Sequence, residues 1–317
     1  MTPSRRNPAP EVVDLLDRLR DKGMRTYPEV GVLRARGIVE SSRWMQGERR
    51  DGVATRDLLV GGAAGRLPAR VYDPGVGAGA PLVVYLHGGG WVTGSVAVAD
   101  RPCREIAAAS GAVVVSVEYR RAPETPFPGP VEDALAATAW AAEHAAELGG
   151  DPARLVVAGD SAGGNLAAAT ALMARDRGGP TIARQVLVYP VLEPPDPVAH
   201  PSYAENAEGF MLTAADMAWF WAHYLDGAAV VPEAAPLRAP DLAGLPPASI
   251  AVAGLDPLRD EGIVYAERLR SAGVDVRLRE WEGLVHGFLW MAGELPQAAD
   301  LVSWIGDELK GATWASR

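Results

Sequence analysis

The chain has 317 residues, 48% hydrophobic and 22% charged, with a formal net charge of −10 at pH 7. That length accommodates one large α/β domain with an elaboration or two ordinary domains, and the composition is that of a folded globular protein. The acidic balance argues against nucleic acid or an anionic membrane as a partner, and the single cysteine, Cys103, leaves no internal disulfide or thiolate metal cluster to form.

Residues 11 to 50 carry apolar positions at helical spacing. Val12, Val13, Leu15, Leu16 and Leu19 come first, then Val30, Val32, Leu33 and Ile38, with Pro28 expected to break the run. Charged residues interrupt this segment where an export signal would need an apolar run, and no window approaches the roughly 18 apolar residues of a membrane span. The cytoplasm is the expected compartment, with no membrane insertion. From residue 51 to 72, alternating runs ended by Asp73-Pro74-Gly75 predict a pair of antiparallel edge strands.

Beyond that point unpatterned apolar runs at 81–86, 112–117, 155–158, 185–189, 249–253 and 274–280 alternate with helical stretches near 100–109, 131–147, 166–175 and 259–272. This rhythm predicts an α/β fold with a mostly parallel central sheet and helices on both faces, and with ligands beyond the carboxyl ends of the strands. The interval 192–245 is too long for a plain connection. It is proline-rich from Pro194 to Pro201 and carries an aromatic helix at 214–224 with Trp219, Phe220 and Trp221, which predicts a lid. The expected organisation is a helical cap segment at 1–50, a core at 51–191 and 246–317, and a cap insertion at 192–245.

Three stretches carry chemistry. The run from Leu155 leads an apolar strand into Gly159-Asp160-Ser161-Ala162-Gly163 and then a helical stretch, the pattern of a nucleophile elbow. Gly159 and Gly163 remove side chains that would collide at so sharp a turn, and the helix end favours negative charge beside the serine. His87-Gly88-Gly89-Gly90-Trp91 follows the strand at 81–86, and its bare N–H groups, with that of Ala162, are candidates to hold an oxyanion. No lysine follows in the P-loop manner, so a phosphate cradle is the weaker reading.

A serine nucleophile needs a base, and the chain has five histidines. His87 belongs to the glycine loop, His144 lies mid-helix, and His200 and His223 lie in the expected lid. His286 remains, in a loop after the last strand, where the chain order Ser, Asp, His requires it. Asp256, just after the strand at 249–253, is favoured as its partner. Its rivals Asp260 and Glu261 fall in a first helical turn, where acidic residues are expected as dipole partners.

Taken together, these motifs resemble the hormone-sensitive-lipase family of α/β-hydrolase esterases. The likeness extends to Asp256-Pro-Leu-Arg-Asp-Glu-Gly262, to His286-Gly-Phe288 and to Tyr119-Arg-Arg-Ala-Pro-Glu124, where Arg121 stands in place of the usual leucine. It implies an α/β-hydrolase fold with a helical cap, Ser161, His286 and Asp256 as a catalytic triad, and Gly88, Gly89, Gly90 and Ala162 as oxyanion donors. It also implies a serine carboxylesterase for short- to medium-chain acyl esters that uses no cofactor and no metal. An amidase or deacetylase with the same triad, and a non-catalytic binder on the same scaffold, are the alternatives. Trp91, Tyr189, Phe210, Trp219, Phe220, Trp221, Leu284 and Val285 are expected to line the pocket. Strand 274–280, near the sheet edge, is where a homodimer would pair.

Overall fold

In the computed structural model, residues 7–311 are described, and the terminal stretches 1–6 and 312–317 lie outside them. Strands β1 (Ala54–Gly62) and β2 (Gly65–Asp73) pair antiparallel across a tight turn, as their alternation predicts. The strands β3 (Ala80–Leu86), β4 (Val113–Val117), β6 (Arg184–Val188) and β7 (Ala248–Leu255) are buried along their whole length, and β5 (Gly150–Asp160) is buried from Leu155 on. Such two-sided burial accounts for their unpatterned apolar runs. With β8 (Val276–Val285) they complete one eight-stranded sheet in the order β1-β2-β4-β3-β5-β6-β7-β8, parallel from β4 to β8.

Successive side chains of a strand point to opposite faces, so each strand feeds two cores. Leu82, Val84 and Leu86 of β3 pack with α4 (Gly129–Glu143), α6 (Ala162–Arg177) and α9 (Arg259–Ser271), while Val83 and Tyr85 pack with α3 (Asp100–Ser110) and α10 (Gln297–Lys310). The expected helices are present. The amphipathic α10, which the reading above leaves unassigned, packs against α3. Among the described residues no helix is long and apolar enough to cross a membrane.

Two expectations shift. Pro28 does not break a helix but sits in the first turn of one: the lead-in forms α1 (Pro10–Asp21) and α2 (Tyr27–Ser41), the latter kinked at Gly31 (φ 72°, ψ 170°), and a proline in the first turn gives up an N–H that had no intrahelical partner. Strand β8 runs on to Val285, past the expected end at 280, with an irregularity in its pairing to β7 between Ala253 and Leu255. It is the last strand of the sheet, and the Ala9 N–H donates to the Gly283 carbonyl at 3.0 Å on it.

Because β3, β5, β7 and β8 are parallel, their carboxyl ends lie along one edge of the sheet and deliver His87, Ser161, Asp256 and His286 to the same side. Over that edge meet α2 and α8 (Ala214–Leu225), which belongs to the 192–245 interval. The Tyr27 N–H donates to Asp216 Oδ1 at 2.7 Å, and the Tyr27 ring packs against Phe220 with centroids 4.8 Å apart.

Candidate active site

The turn from β5 into α6 is as sharp as its sequence requires. Ser161 has φ 56° and ψ −120°, a conformation that costs a non-glycine residue roughly 1–3 kcal/mol and persists only where the surroundings impose it. They do so here through main-chain bonds: the Ser161 N–H donates to the Val188 carbonyl at 2.9 Å, and the Ser161 carbonyl accepts from Val191 at 3.2 Å and Asn165 at 3.0 Å. A Cβ on Gly159 would strike the Gly163 backbone, and one on Gly163 would strike the Leu86 carbonyl oxygen. The glycines therefore let β5, β3 and the start of α6 approach closely enough to raise the serine above the sheet.

His286 Nε2 lies 2.9 Å from Ser161 Oγ, and His286 Nδ1 lies 2.7 Å from Asp256 Oδ2. Asp256 is fully buried, and its other oxygen accepts the Leu258 N–H at 2.9 Å. With the carboxylate on Nδ1, the hydrogen-bond pattern assigns the proton to that nitrogen and leaves Nε2 to accept from the hydroxyl. Tyr189 backs the imidazole, ring centroids 4.7 Å apart. Of the rivals, Glu261 accepts from Leu192 and Glu193 N–H groups and from Tyr203 and is pushed up to about 7 by burial, while Asp260 pairs with Arg259 at 2.8 Å. Neither shares a hydrogen bond with His286.

The glycine loop differs from expectation at one position. The Gly88 N–H donates to Asp160 Oδ1 at 3.0 Å, so it is already committed and is not free for an oxyanion. The N–H groups of Gly89, Gly90 and Ala162 find no acceptor among the described residues, and Gly89 and Gly90 border the cavity that holds Ser161. At Gly90 (φ 59°) a side chain would collide with the Phe220 ring. Asp160 is the residue that sequence reasoning overlooked. Its carboxylate, which also accepts from Tyr85 Oη at 2.7 Å, ties the glycine loop to the elbow, and burial pushes its pKa up to about 6. The signal was present, an acidic residue at the end of the buried apolar run 155–159, but its partners lie 75 and 72 residues away.

His87 supports the loop. Its ring stacks on Tyr119 with centroids 4.4 Å apart, and Tyr119 Oη donates to the His87 carbonyl at 2.8 Å. The Tyr119 to Glu124 segment therefore buttresses the glycines, and Arg120 beside it is anchored on buried Asp133 at 2.7 Å.

A cavity of about 240 Å³ opens at Ser161 and His286, and its walls are, with one exception, not the ones expected. Of the eight residues named for the pocket only Phe220 lines it, and Trp221 is buried against Trp91. Trp91 is fully buried and stacked flat on Tyr224 at 4.0 Å, and Leu284 and Val285 point into the core beneath the sheet edge. Tyr189 is buried behind His286, Phe210 packs against the core on the α3–α10 side, and Trp219 stacks on Tyr27 with centroids 6.2 Å apart. The largest apolar side chains went where they bury most area. The cavity is instead walled by α1, α2 and the turn after it, by residues 211–220, and by residues 286–291. A shallower depression of about 440 Å³ beside Arg66 and Arg120 contains none of the triad candidates.

Fold and site together define an α/β hydrolase. A family profile of the alpha/beta hydrolase fold matches residues 83–290. Esterase LipI of Mycobacterium tuberculosis is 47% identical over 250 residues, 77% of this chain and 78% of that protein. Carboxylesterase NlhH of the same species is 45% identical over 240 residues, 74% of this chain and 75% of that one. The hyperthermophilic esterase of Pyrobaculum calidifontis superposes with a TM-score of 0.88 at 40% identity, covering 98% of this chain and 100% of that one. The chain belongs to the hormone-sensitive-lipase family of α/β-hydrolase carboxylesterases.

Proposed function

We propose that the protein is a serine carboxylesterase for short- to medium-chain acyl esters, with Ser161 as nucleophile, His286 as base and Asp256 as the group that orients it. The observation that carries this reading is the unbroken relay from Ser161 Oγ to His286 Nε2, 2.9 Å, and from His286 Nδ1 to Asp256 Oδ2, 2.7 Å. Ser161 Oγ attacks the ester carbonyl while His286 takes its proton. The carbonyl oxygen gathers negative charge that the Gly89, Gly90 and Ala162 N–H groups receive, each such donor contributing about 3 kcal/mol. His286 then gives the proton to the departing alkoxide, and water repeats the sequence on the acyl-enzyme.

The cavity supports the chain-length limit. At about 240 Å³ it is small beside the roughly 300–1,000 Å³ of typical ligand sites, which leaves no room to enclose palmitate. In this reading segments 7–50 and 192–245 form the cap, and β8 at the sheet edge is the surface on which a second copy would pair. Fluorophosphonate labelling with peptide mapping tests the nucleophile: the label belongs on Ser161. A p-nitrophenyl series from acetate to palmitate tests the substrate class, and maximal turnover on palmitate would overturn it.

A further inference from the structure

Of the seven methionines in the chain, five line the cavity at Ser161: Met24, Met45, Met211, Met217 and Met291. They come from separate stretches, the α1–α2 connection, the turn after α2, the residues before and within α8, and the turn after His286. No local sequence bias gathers them. Nor is gap-filling in the core a sufficient reason, because Met24 is 40% exposed and Met211 half-buried on the rim, where nothing requires an apolar side chain. Tyr27, Trp44, Phe220 and Trp290 complete much of the wall.

A methionine is unbranched, has three side-chain torsions and carries a polarizable sulfur that packs favourably against aromatic rings. Leucine of similar volume has a fixed fork and no such contact. We propose that this wall is a deformable thioether lining that selects esters bearing an aromatic ring on the acyl or alcohol side, and admits rings held at differing distances from the carbonyl. The inference deepens the esterase reading and rests on it. The sulfurs supply ring contacts wherever the ring falls, because each can swing through several rotamers, and the four aromatic side chains offer edges and faces between them.

The test is a ratio. Specificity constants for vinyl phenylacetate against vinyl hexanoate, and for benzyl acetate against hexyl acetate, are compared between the unaltered protein and M24L/M211L/M291L. Both ratios are expected to favour the ring in the unaltered protein, and the triple variant should lose about threefold or more in at least one, carried by KM. Ratios that agree within about 1.5-fold between the two proteins overturn the inference while leaving the esterase reading intact. Turnover of none of these esters by the unaltered protein overturns the esterase reading itself. If the triple variant does not fold, M24L/M211L carries the same comparison, since both positions lie on the rim. Inhibition by phenylboronic against butylboronic acid gives the ratio a second time without turnover, and indifference to the ring there also overturns the proposal.

Discussion

The floor of the cavity and its roof are held in different ways. On the floor, Ser161, Asp160, Asp256 and the glycine loop are tied by short hydrogen bonds, at 2.7 Å from Tyr85 to Asp160 and from His286 to Asp256, and by backbone contacts that only glycine permits. The roof, α1, α2 and α8, closes over the cavity by ring packing and the Tyr27 N–H bond to Asp216, and its other ties run through half-exposed or exposed charged side chains: Arg36 to the Val92 and Ala122 carbonyls at 2.9 and 3.0 Å and to Glu124, the Ser95 hydroxyl to Glu40, Arg20 to the Gly209 carbonyl at 3.0 Å, and Arg18 with Glu294. A site that must hold a proton relay within tenths of an ångström needs the first kind of support, and one that must admit substrates of varied outline is served by the second.

That contrast can be broken in graded steps. Ser161→Ala removes the nucleophile without touching any support, so kcat for p-nitrophenyl butyrate should fall by roughly 10⁴ or more with the far-UV CD spectrum unchanged. A loss smaller than about tenfold would place the nucleophile elsewhere. Gly163→Ala attacks the support itself: with the new methyl group against the Leu86 carbonyl oxygen, denaturant unfolding should report a loss of about 3 kcal/mol or more. Unchanged stability there would mean that the elbow can relax, against the account given above.

Asp160→Asn sharpens the electrostatics. The Asp160 pKa is raised to about 6 by burial, so the folded protein binds more protons than the unfolded chain between about pH 4 and 6. Wild-type stability therefore falls, on this group's account, as pH rises through that window, whereas the amide does not titrate. The stability of the variant relative to wild type should rise by up to about 3 kcal/mol from pH 4 to pH 7. A constant difference would show that the carboxylate meets no such cost. The smallest effect belongs to the roof. Asp216→Ala loses the return half of the α8 capping box, in which its carboxylate accepts from Thr213, and the link to Tyr27, for about 1 kcal/mol of stability. KM for short esters should rise about threefold with kcat less affected, and the opposite split would place Asp216 in the chemistry.

The same division separates what could be read in advance. The strand order was not legible, but the alternation of buried strands and helices was, because two-sided burial leaves a direct imprint on residue type. So were Ser161, His286 and Asp256, each set just past a strand end by a turn whose glycines mark the backbone. Gly88 was misjudged because a bare N–H in the sequence says nothing about which buried carboxylate has already taken it. Of the aromatic pocket only Phe220 was placed rightly, and the rest failed for a related reason: Trp91, Leu284 and Val285 look alike whether they face a cavity or a core, and burial claimed them.

What the chain by itself determined is local. Glycines at a forced turn, apolar strands of fixed length and titratable groups at their ends are each specified by the backbone geometry of a few neighbouring residues. Only the tertiary structure decided which amide was already spent, which carboxylate was buried beside it, and that five scattered methionines would meet above one serine. Those outcomes depend on contacts between residues far apart in the chain, and no periodicity or spacing encodes a contact that the fold alone brings about.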